Sequence, residues 1–599
     1  MTSTTDTTGA ATAERILEGS GGRRWRIRAA PDLAAFAGAE WPPLISLLLA
    51  LRSSDGLEQA LHYFAEPGEL TDPSLMPNLD VAVERLARAC GGGETVAIFG
   101  DFDVDGVTAT ALLVEGMSDL GAVTLPYIPH RFTEGYGPNV DAIRGLRARG
   151  ATLLVTADCG TSAVAEIAEA NEIGMDVIVI DHHAVAGGQP GNDPGDPSAL
   201  LPGTPPERLP DALALVNPKL EGSLYGSEPA AVGVAYKVIH DLYERLGRPY
   251  DPEPHRALVA LGTVCDLAPM LAENRDLVRL GLRSLARSQR PGLLALAEVA
   301  GVRLADADAE MCGWVLGPRL NAAGRMAASP EEGRMALELL LAPSEQEAGP
   351  LAAQLEQVNR RRRNQTTAAV ELAAELLSAE EEKAALLFVA SPEISAGVVG
   401  LVASRLADAH QRPAIVMELT GAEGRASCRS VEGFDITELL RRHRGLFRRF
   451  GGHRAAAGFT IDAARLAEVR SALLVDAAER LDVAALVPTI DIDAELPLHT
   501  VNGDLLRWLL RLGPHGIGNP TPTFLARAVE IRAGRAVGAD GSHLQFALRV
   551  GRVNWRAISC GNARHAVRDG DLADIVYTFR RDGLRGALQL EVLDLRPAG

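Results

Sequence analysis

Between residues 80 and 185 the chain alternates short apolar runs with stretches of helical period. The runs are Val96–Phe99 in TVAIFGDFDVDG, then AVTLPYIP, ATLLVTADCG and DVIVIDHH. Unbroken apolar runs this short predict strands buried on both faces, as in a parallel sheet. VTATALLVEGMSDL and the segments near 140–149 and 164–173 predict the crossover helices between them. Residues 186–210, rich in Gly and Pro, predict an exposed, mobile loop insertion. Helical patterns resume at AAVGVAYKVIHDLYERLG and PHRALVALGTVCDLAP. From about 346 to 378 a long polar helical pattern suits a helix that bridges two domains. A second α/β unit begins at AALLFVA and PAIVMEL and contains GRASCRS and FGGHRAAAGFT. From about Pro488 short strands separated by Gly turns predict a small β-barrel. The expected domains are an N-terminal helical region 1–75, an α/β domain 76–345, the connecting helix 346–378, a second α/β domain 379–480 and the barrel 488–599.

Polar chemistry is concentrated where the strands end. Asp101, Asp103 and Asp105, followed by Gly106, leave the first strand; Asp158 ends the third; Asp181, His182 and His183 end the fourth. Open α/β sheets place their sites at these carboxyl ends. Carboxylates this close repel one another, and a divalent cation is the usual compensation. An EF-hand loop also reads D-x-D-x-D-G, but its twelfth position is Leu112 rather than Glu and the loop follows a strand. A solvated acidic turn explains one loop and not three strand ends carrying hard ligands. Asp with His suits Mn²⁺ or Mg²⁺ better than a thiolate-rich zinc site.

Other positions leave two readings open. Asp266, in apolar surroundings, is a structural carboxylate or a further ligand. GWVLGPRLNAAGRM brings Arg319, Asn321 and Arg325 together, to bind phosphate or as solvated arginines of a glycine-rich loop. Gly451, Gly452 and His453 predict a tight turn with free N–H groups, and Arg429, Ser430 and the arginines at 441, 442, 444, 448 and 449 favour an anion there. In the barrel, Phe546, Trp555, Tyr577 and Phe579 are candidates for stacking on bases or simply core.

The net charge of −19 argues against a nucleic-acid partner when taken as an average. The arginine runs 360–363 and 441–449 are local exceptions, and an enzyme that follows a strand needs only a basic track. Six scattered Cys without a C-x-x-C pair, a polar N-terminal stretch and no apolar run of spanning length predict a cytoplasmic protein with no membrane segment.

GDFDVDG, TADCG, the literal DHH of Asp181–His183 and Asp266 in TVCDLAPM resemble, in order, the motifs of the DHH phosphoesterases. FGGHRAAAG resembles the signature of the associated DHHA1 domain. GPRLNAAGRM, the long helix and a barrel after LGPHGIGNPTPTF resemble the RecJ-type family of single-strand-specific 5′→3′ DNA exonucleases. The resemblance implies two α/β domains, DHH and DHHA1, with an OB-fold as the barrel. It implies two-metal-ion hydrolysis of phosphodiesters to 5′-mononucleotides in DNA recombination and repair. Asp103, Asp105, Asp158, His182 and Asp266 would be ligands of two Mn²⁺ or Mg²⁺ ions, with Asp158 bridging. Asp101, Asp181 and His183 would support them, and His183 could touch a substrate phosphate. Arg131, Arg319, Asn321, Arg325, Arg429, Ser430, Gly451, Gly452 and His453 would bind the strand. Single-stranded DNA is the implied partner, with single-strand-binding protein and a RecQ-type helicase as protein partners of a monomer. Some DHH enzymes carry a His four residues before Asp103; here Phe99 stands there, which would leave the first metal one ligand short. Competing expectations are a DHH phosphodiesterase acting on short oligonucleotides or cyclic dinucleotides, and an inactive DHH-fold scaffold in a replication assembly.

Overall fold

The structure, a computed structural model, describes residues 14–598 apart from 53–55, 69, 186–208, 483–485, 539–540, 542, 552, 561–567 and 582–587. The loop insertion expected at 186–210 lies almost wholly outside the described residues. The chain divides into two compact units, Glu69–Leu486 and a second that combines Met1–Gly68 with Val487–Gly599.

The larger unit opens with a five-stranded, all-parallel sheet: β1 (Thr95–Phe99), β2 (Val123–Tyr127), β3 (Leu153–Ala157), β4 (Asp176–Ile180) and β5 (Ala214–Val216). Their spatial order is β2-β1-β3-β4-β5. The short strand β5 follows the Gly- and Pro-rich insertion and is not among the strands that the apolar runs predict. In this doubly wound order the chain reverses direction across the sheet between β1 and β3, and the crevice outside those two strand ends is where ligands bind. Helix α1 (Val104–Asp119) is buried along most of its length, which accounts for its apolar composition. Gly106 is required at its start, because a Cβ there would lie 2.6 Å from the Asp101 backbone nitrogen. Helix α2 (Glu253–Cys265) delivers Asp266 at its C-cap, and α3 (Gly317–Met326) contains the GPRLNAAGRM segment.

Helix α4 (Glu345–Leu376) is the long polar helix and leads into a second sheet. This sheet holds β6 (Leu387–Ser391), β7 (Ala414–Thr420), β8 (Glu423–Arg429), β9 (Arg449–His453) and β10 (Ala456–Asp462), in the order β9-β10-β8-β7-β6. Helix α5 (Val399–His410) packs its apolar face on this sheet together with Ala369 and Ala373 of α4.

The smaller unit is built on a closed five-stranded barrel of β11 (Phe524–Val537), β12 (His543–Val550), β13 (Val553–Ser559), β14 (Leu572–Arg581) and β15 (Leu588–Pro597). β11 pairs with both β12 and β14, β13 runs parallel to β15, and no edge is left open. Residues 14–68 do not form a separate helical region. Strand Arg24–Ile27 pairs in parallel with Thr489–Ile492, and Arg15–Glu18 pairs with Arg24–Ile27. Phe36, Trp41, Ile45, Leu48, Leu49 and Phe64 share one core with Phe524, Ile531 and Tyr577. The buried Arg52 guanidinium pairs with Asp493 at 3.1 Å, and the Trp25 indole N–H donates to Asp594 at 2.8 Å. Phe546 and Tyr577, read as candidates for stacking, are core; Tyr577 donates its hydroxyl to the Leu496 carbonyl. Trp555 and Phe579 are partly buried and meet edge to face at 5.8 Å.

This shared core predicts how truncations behave. Deleting residues from 488 onward should leave the apolar face of residues 36–64 in water, so the 1–487 fragment should aggregate and bind a hydrophobic dye. Residues 69–486, cut at the unit boundary on both sides, should stay monodisperse. Size-exclusion chromatography checks both, and a well-behaved 1–487 fragment would contradict the shared core.

Candidate metal centre and phosphate site

The strand ends converge as their positions in the sheet require. The Asp103 carboxylate caps α1, accepting from the Asp105 and Gly106 amides at 3.0 and 3.2 Å. Both oxygens of Asp105 accept amides at the N-terminus of the helix Ala231–Arg245, from Ala231 at 2.6 Å and Val232 at 2.9 Å. Asp158 leaves β3 with φ +63°, a left-handed conformation that Asp tolerates better than most residues. The Asp158 amide donates to the Ile180 carbonyl, and its own carbonyl accepts the Tyr136 hydroxyl at 3.0 Å. His182 lies between three carboxylates: Nε2 is 3.2 Å from Asp158 and 3.8 Å from Asp105, and Nδ1 is 3.8 Å from Asp266.

Asp181 is heavily engaged. Its oxygens accept the amides of Thr161, His182 and His183 and the His183 Nδ1, the last at 2.7 Å. Asn217 donates to the His183 carbonyl and to the Thr161 hydroxyl, which fixes the same corner. Asp181 therefore orients a ring and three amides.

Three groups place ligand atoms within 4.8 Å of one another and could hold metal: Asp158 with His182 and His183, Asp105 with His182 and Asp266, and Asp101 with Asp103 and Asp158. All five residues read as ligands belong to these groups. Asp101 and His183, read as support, belong to them as well. Phe99 points elsewhere, stacked on Tyr127 at 5.0 Å within the apolar layer of the sheet.

The electrostatics favour a cation. Burial, then Asp103, pushes the Asp105 carboxyl up to about 7. Burial and neighbouring carboxylates hold Asp101, Asp158 and Asp266 well above the usual carboxylate range. One buried oxygen each of Asp101 and Asp158 accepts no hydrogen bond. Burial works against a charge on His183, but Asp181, then Asp266 and Asp101, outweigh it and raise the ring to about 9. Oxygen and imidazole donors with this surplus negative charge fit Mn²⁺ or Mg²⁺.

Beside the carboxylates lies a set of guanidinium groups. Arg131 stands 4.9 Å over the Phe102 ring, its charge disfavoured by burial and favoured by Asp101 and Asp103. Arg325 is held down to about 10 by burial and by Arg131, Arg362 and Arg429. Burial, then Arg131, also lowers Arg429, and burial with Arg363, Arg405 and Arg319 lowers Arg362. Partly buried guanidiniums that depress one another's pKa could hold an anion. Arg131, Arg325 and Arg429 are among the residues expected to bind the strand, and Arg362 belongs to the arginine run 360–363 read as part of a basic track. Tyr136 was missed, although it stands in the same loop as Arg131.

Other expected strand-binding residues are placed differently. Arg319 turns to α4, pairing with the buried Glu356 at 2.8 Å and donating to the Val315 carbonyl. Ser430 donates its hydroxyl to the Phe434 carbonyl within its own turn. Asn321, half-buried on α3, makes none of the contacts described above. Gly451–His453 is not a tight turn but the edge strand β9, with Gly451 opposite Gly458 and Gly452 opposite Ala457. Gly452 has φ +134°, and a Cβ there would lie 2.4 Å from the Ala457 Cα, so the glycine serves close strand approach. The side chain of His453 lies outside what is described. Arg441, Arg442 and Arg448 pair with Glu438, Asp476 and Asp462.

A doubly wound sheet with groups that could hold metal at its switch point, a second α/β domain and a closed barrel define a three-domain architecture with a candidate metal site. Three family descriptions match it: "DHH family, N-terminal domain" over residues 95–263, "DHHA1 domain" over 381–478 and "RecJ OB domain" over 492–594. The single-stranded-DNA-specific exonuclease RecJ of Thermus thermophilus is 34% identical over 587 residues, 96% of this chain and 78% of that protein. RecJ of Bacillus subtilis is 35% identical over 511 residues, 85% of this chain; the match spans only 61% of that protein's length. The crystal structure of T. thermophilus RecJ with Mn²⁺ superposes with a TM-score of 0.78 at 30% identity, covering 96% of this chain and 80% of that one. The same protein has been solved with Mg²⁺, covering 96% and 78% at a TM-score of 0.73 and 28% identity. The chain belongs to the RecJ family. Among the described residues, no helix is long and apolar enough to cross a membrane.

Proposed function

We propose that this chain is a Mn²⁺- or Mg²⁺-dependent exonuclease that degrades single-stranded DNA from the 5′ end to 5′-mononucleotides. The observation that carries this reading is the guanidinium set of Arg131, Arg325, Arg362 and Arg429 beside the carboxylates of Asp101 and Asp103. An anion site next to a cation site suits a terminal phosphate held one nucleotide from the bond to be cut. Asp103, Asp105, Asp158, His182 and Asp266 would hold two ions, with Asp101 completing the cluster. Bound there, such ions supply Lewis acidity toward phosphorus and lower the pKa of water.

The residues divide the remaining work. Asp181 fixes the His183 ring through Nδ1, leaving Nε2–H to donate to a phosphate oxygen. Tyr136 holds the Asp158 backbone through its hydroxyl. Arg131, Arg325 and Arg429 neutralise the terminal phosphate, and Arg362 adds its charge to theirs. Burial of these groups excludes water that would otherwise weaken each interaction. A cytoplasmic monomer that serves recombination and repair, with single-strand-binding protein and a RecQ-type helicase beside it, completes the reading.

The test is direct. With Mn²⁺, 5′-labelled single strands should release labelled mononucleotide from the first turnover, while 3′ label stays in long products and blunt duplex survives. Chelation of the metal should abolish release. Early release of 3′ label would reverse the polarity, and degradation limited to dinucleotides would favour the oligonucleotide phosphodiesterase.

A further inference from the structure

Asp266 is followed by a loop that is strained and yet firmly held. Leu267 and Ala272 have φ of +64° and +43°, left-handed values that Leu and Ala rarely adopt. The loop is pinned by Leu267 N–H to the Val264 carbonyl, Ala268 N–H to the Thr263 carbonyl and the Asn274 side-chain amide to the Pro269 and Glu228 carbonyls. Ala268 and Met270 are buried, whereas Leu267 is 65% exposed and Leu271 41%. The constraint thus keeps two leucines in water directly after a candidate metal ligand.

A second irregularity borders the same place. Cys312–Leu316, leading into α3, is a π-helical turn, a rare form that is frequent at functional sites. It carries Trp314, 79% exposed, while Trp25 and Trp41 are buried and Trp508 and Trp555 partly so. The turn packs on the end of α2. A Cβ at Gly313 would lie 3.6 Å from Val264 Cγ1, and the Cys265 thiol donates to the Cys312 carbonyl at 3.5 Å. Val264 therefore touches both the strained loop and the turn, and Asp266 stands two residues away.

We propose that Leu267 and Trp314 form an apolar lip on the rim of the metal centre that takes a nucleobase of the bound strand. This rests on the single-stranded-DNA reading above. The centre offers carboxylates, imidazoles and guanidiniums, which address phosphate; the bases are the apolar part of the same substrate and need an apolar surface beside it. An indole face accepts any base, as an enzyme without sequence preference requires. Unstacking the base next to the cut would hold the strand single and set the spacing between the phosphate and the metal ligands.

Trp314 reports on its own contact. In EDTA, where the strand is not hydrolysed, iodide should quench Trp314 fluorescence in the free protein, with Trp314→Phe giving the background of the other tryptophans. Fluorescence anisotropy of a labelled strand confirms binding in parallel. A normal strand should protect Trp314 from iodide, and a strand of equal length built of abasic residues should bind without protecting it. Trp314→Ala and Leu267→Ala should each weaken binding of the normal strand about ten-fold and leave that of the abasic strand unchanged. If the normal strand binds and Trp314 stays open to iodide, or the abasic strand protects it equally, the lip is wrong while the exonuclease reading stands. If anisotropy shows no binding of either strand, both fall.

Discussion

Asparagine in place of Asp158 should slow hydrolysis of single-stranded DNA by about three orders of magnitude or more at saturating Mn²⁺, a barrier increase of about 4 kcal/mol. Asp158 belongs to two of the three groups that could hold metal, so its loss weakens both at once. Asparagine keeps the side-chain volume and tolerates the left-handed backbone, so the exchange tests the charge rather than the fold. Its effect on stability should have the opposite sign. Asp158 is buried among Asp101, Asp103, Asp105 and Asp266, all of which raise its pKa. Removing one carboxylate from that set should leave the metal-free protein as stable as the wild type or more so. The wild type should gain thermal stability on adding Mn²⁺, and the variant should lose most of that gain. DNA binding in EDTA should persist, because the guanidinium set is untouched. Near-wild-type cleavage by the variant would remove Asp158 from the ligand set.

The catalytic half of this architecture was legible because its signals are local. Apolar runs gave four parallel strands, and strand ends in an open α/β sheet point to one crevice, so Asp103, Asp158 and His182 could be grouped without coordinates. The finer division of roles was not readable. Asp101 and Asp181 look alike in sequence, but one keeps an oxygen without a hydrogen bond and the other accepts three amides and a ring. Which occurs depends on Thr161 and on the path of the chain after β4. Contacts between remote segments were invisible for a stronger reason. Arg52 and Asp493 are a buried pair 441 residues apart, and nothing near either names the other. The same holds for Arg319, whose setting in GPRLNAAGRM suggested phosphate but whose charge is taken by Glu356 on α4. Glycines misled in one place. The pair at 451–452 suggested a turn, whereas Gly452 is there to let β9 lie against Ala457.

The displacement of Arg319 moves the expected grip on the terminal phosphate to Arg325. Burial and the charges of Arg131, Arg362 and Arg429 hold its pKa down to about 10, and Asp103 opposes them. Such a set is unfavourable without an anion, and each member makes the same demand on whatever binds. Arg325→Ala should therefore lower kcat/KM on 5′-phosphorylated strands by about 10²-fold, close to 3 kcal/mol, within the range for losing a charge-assisted contact in a buried site. On 5′-hydroxyl strands the loss should be several-fold at most, since the missing partner is the terminal phosphate itself. Lysine should not restore the preference, because an ammonium cannot reproduce the planar, two-pronged contact of a guanidinium. Relief of repulsion should make the alanine variant at least as stable as the wild type without ligand. Inorganic phosphate should raise the wild-type melting temperature and do so less in the variant. Initial rates on matched 5′-phosphate and 5′-hydroxyl strands, with melting curves in phosphate, decide the matter. Equal losses on both ends would show that Arg325 grips the strand elsewhere.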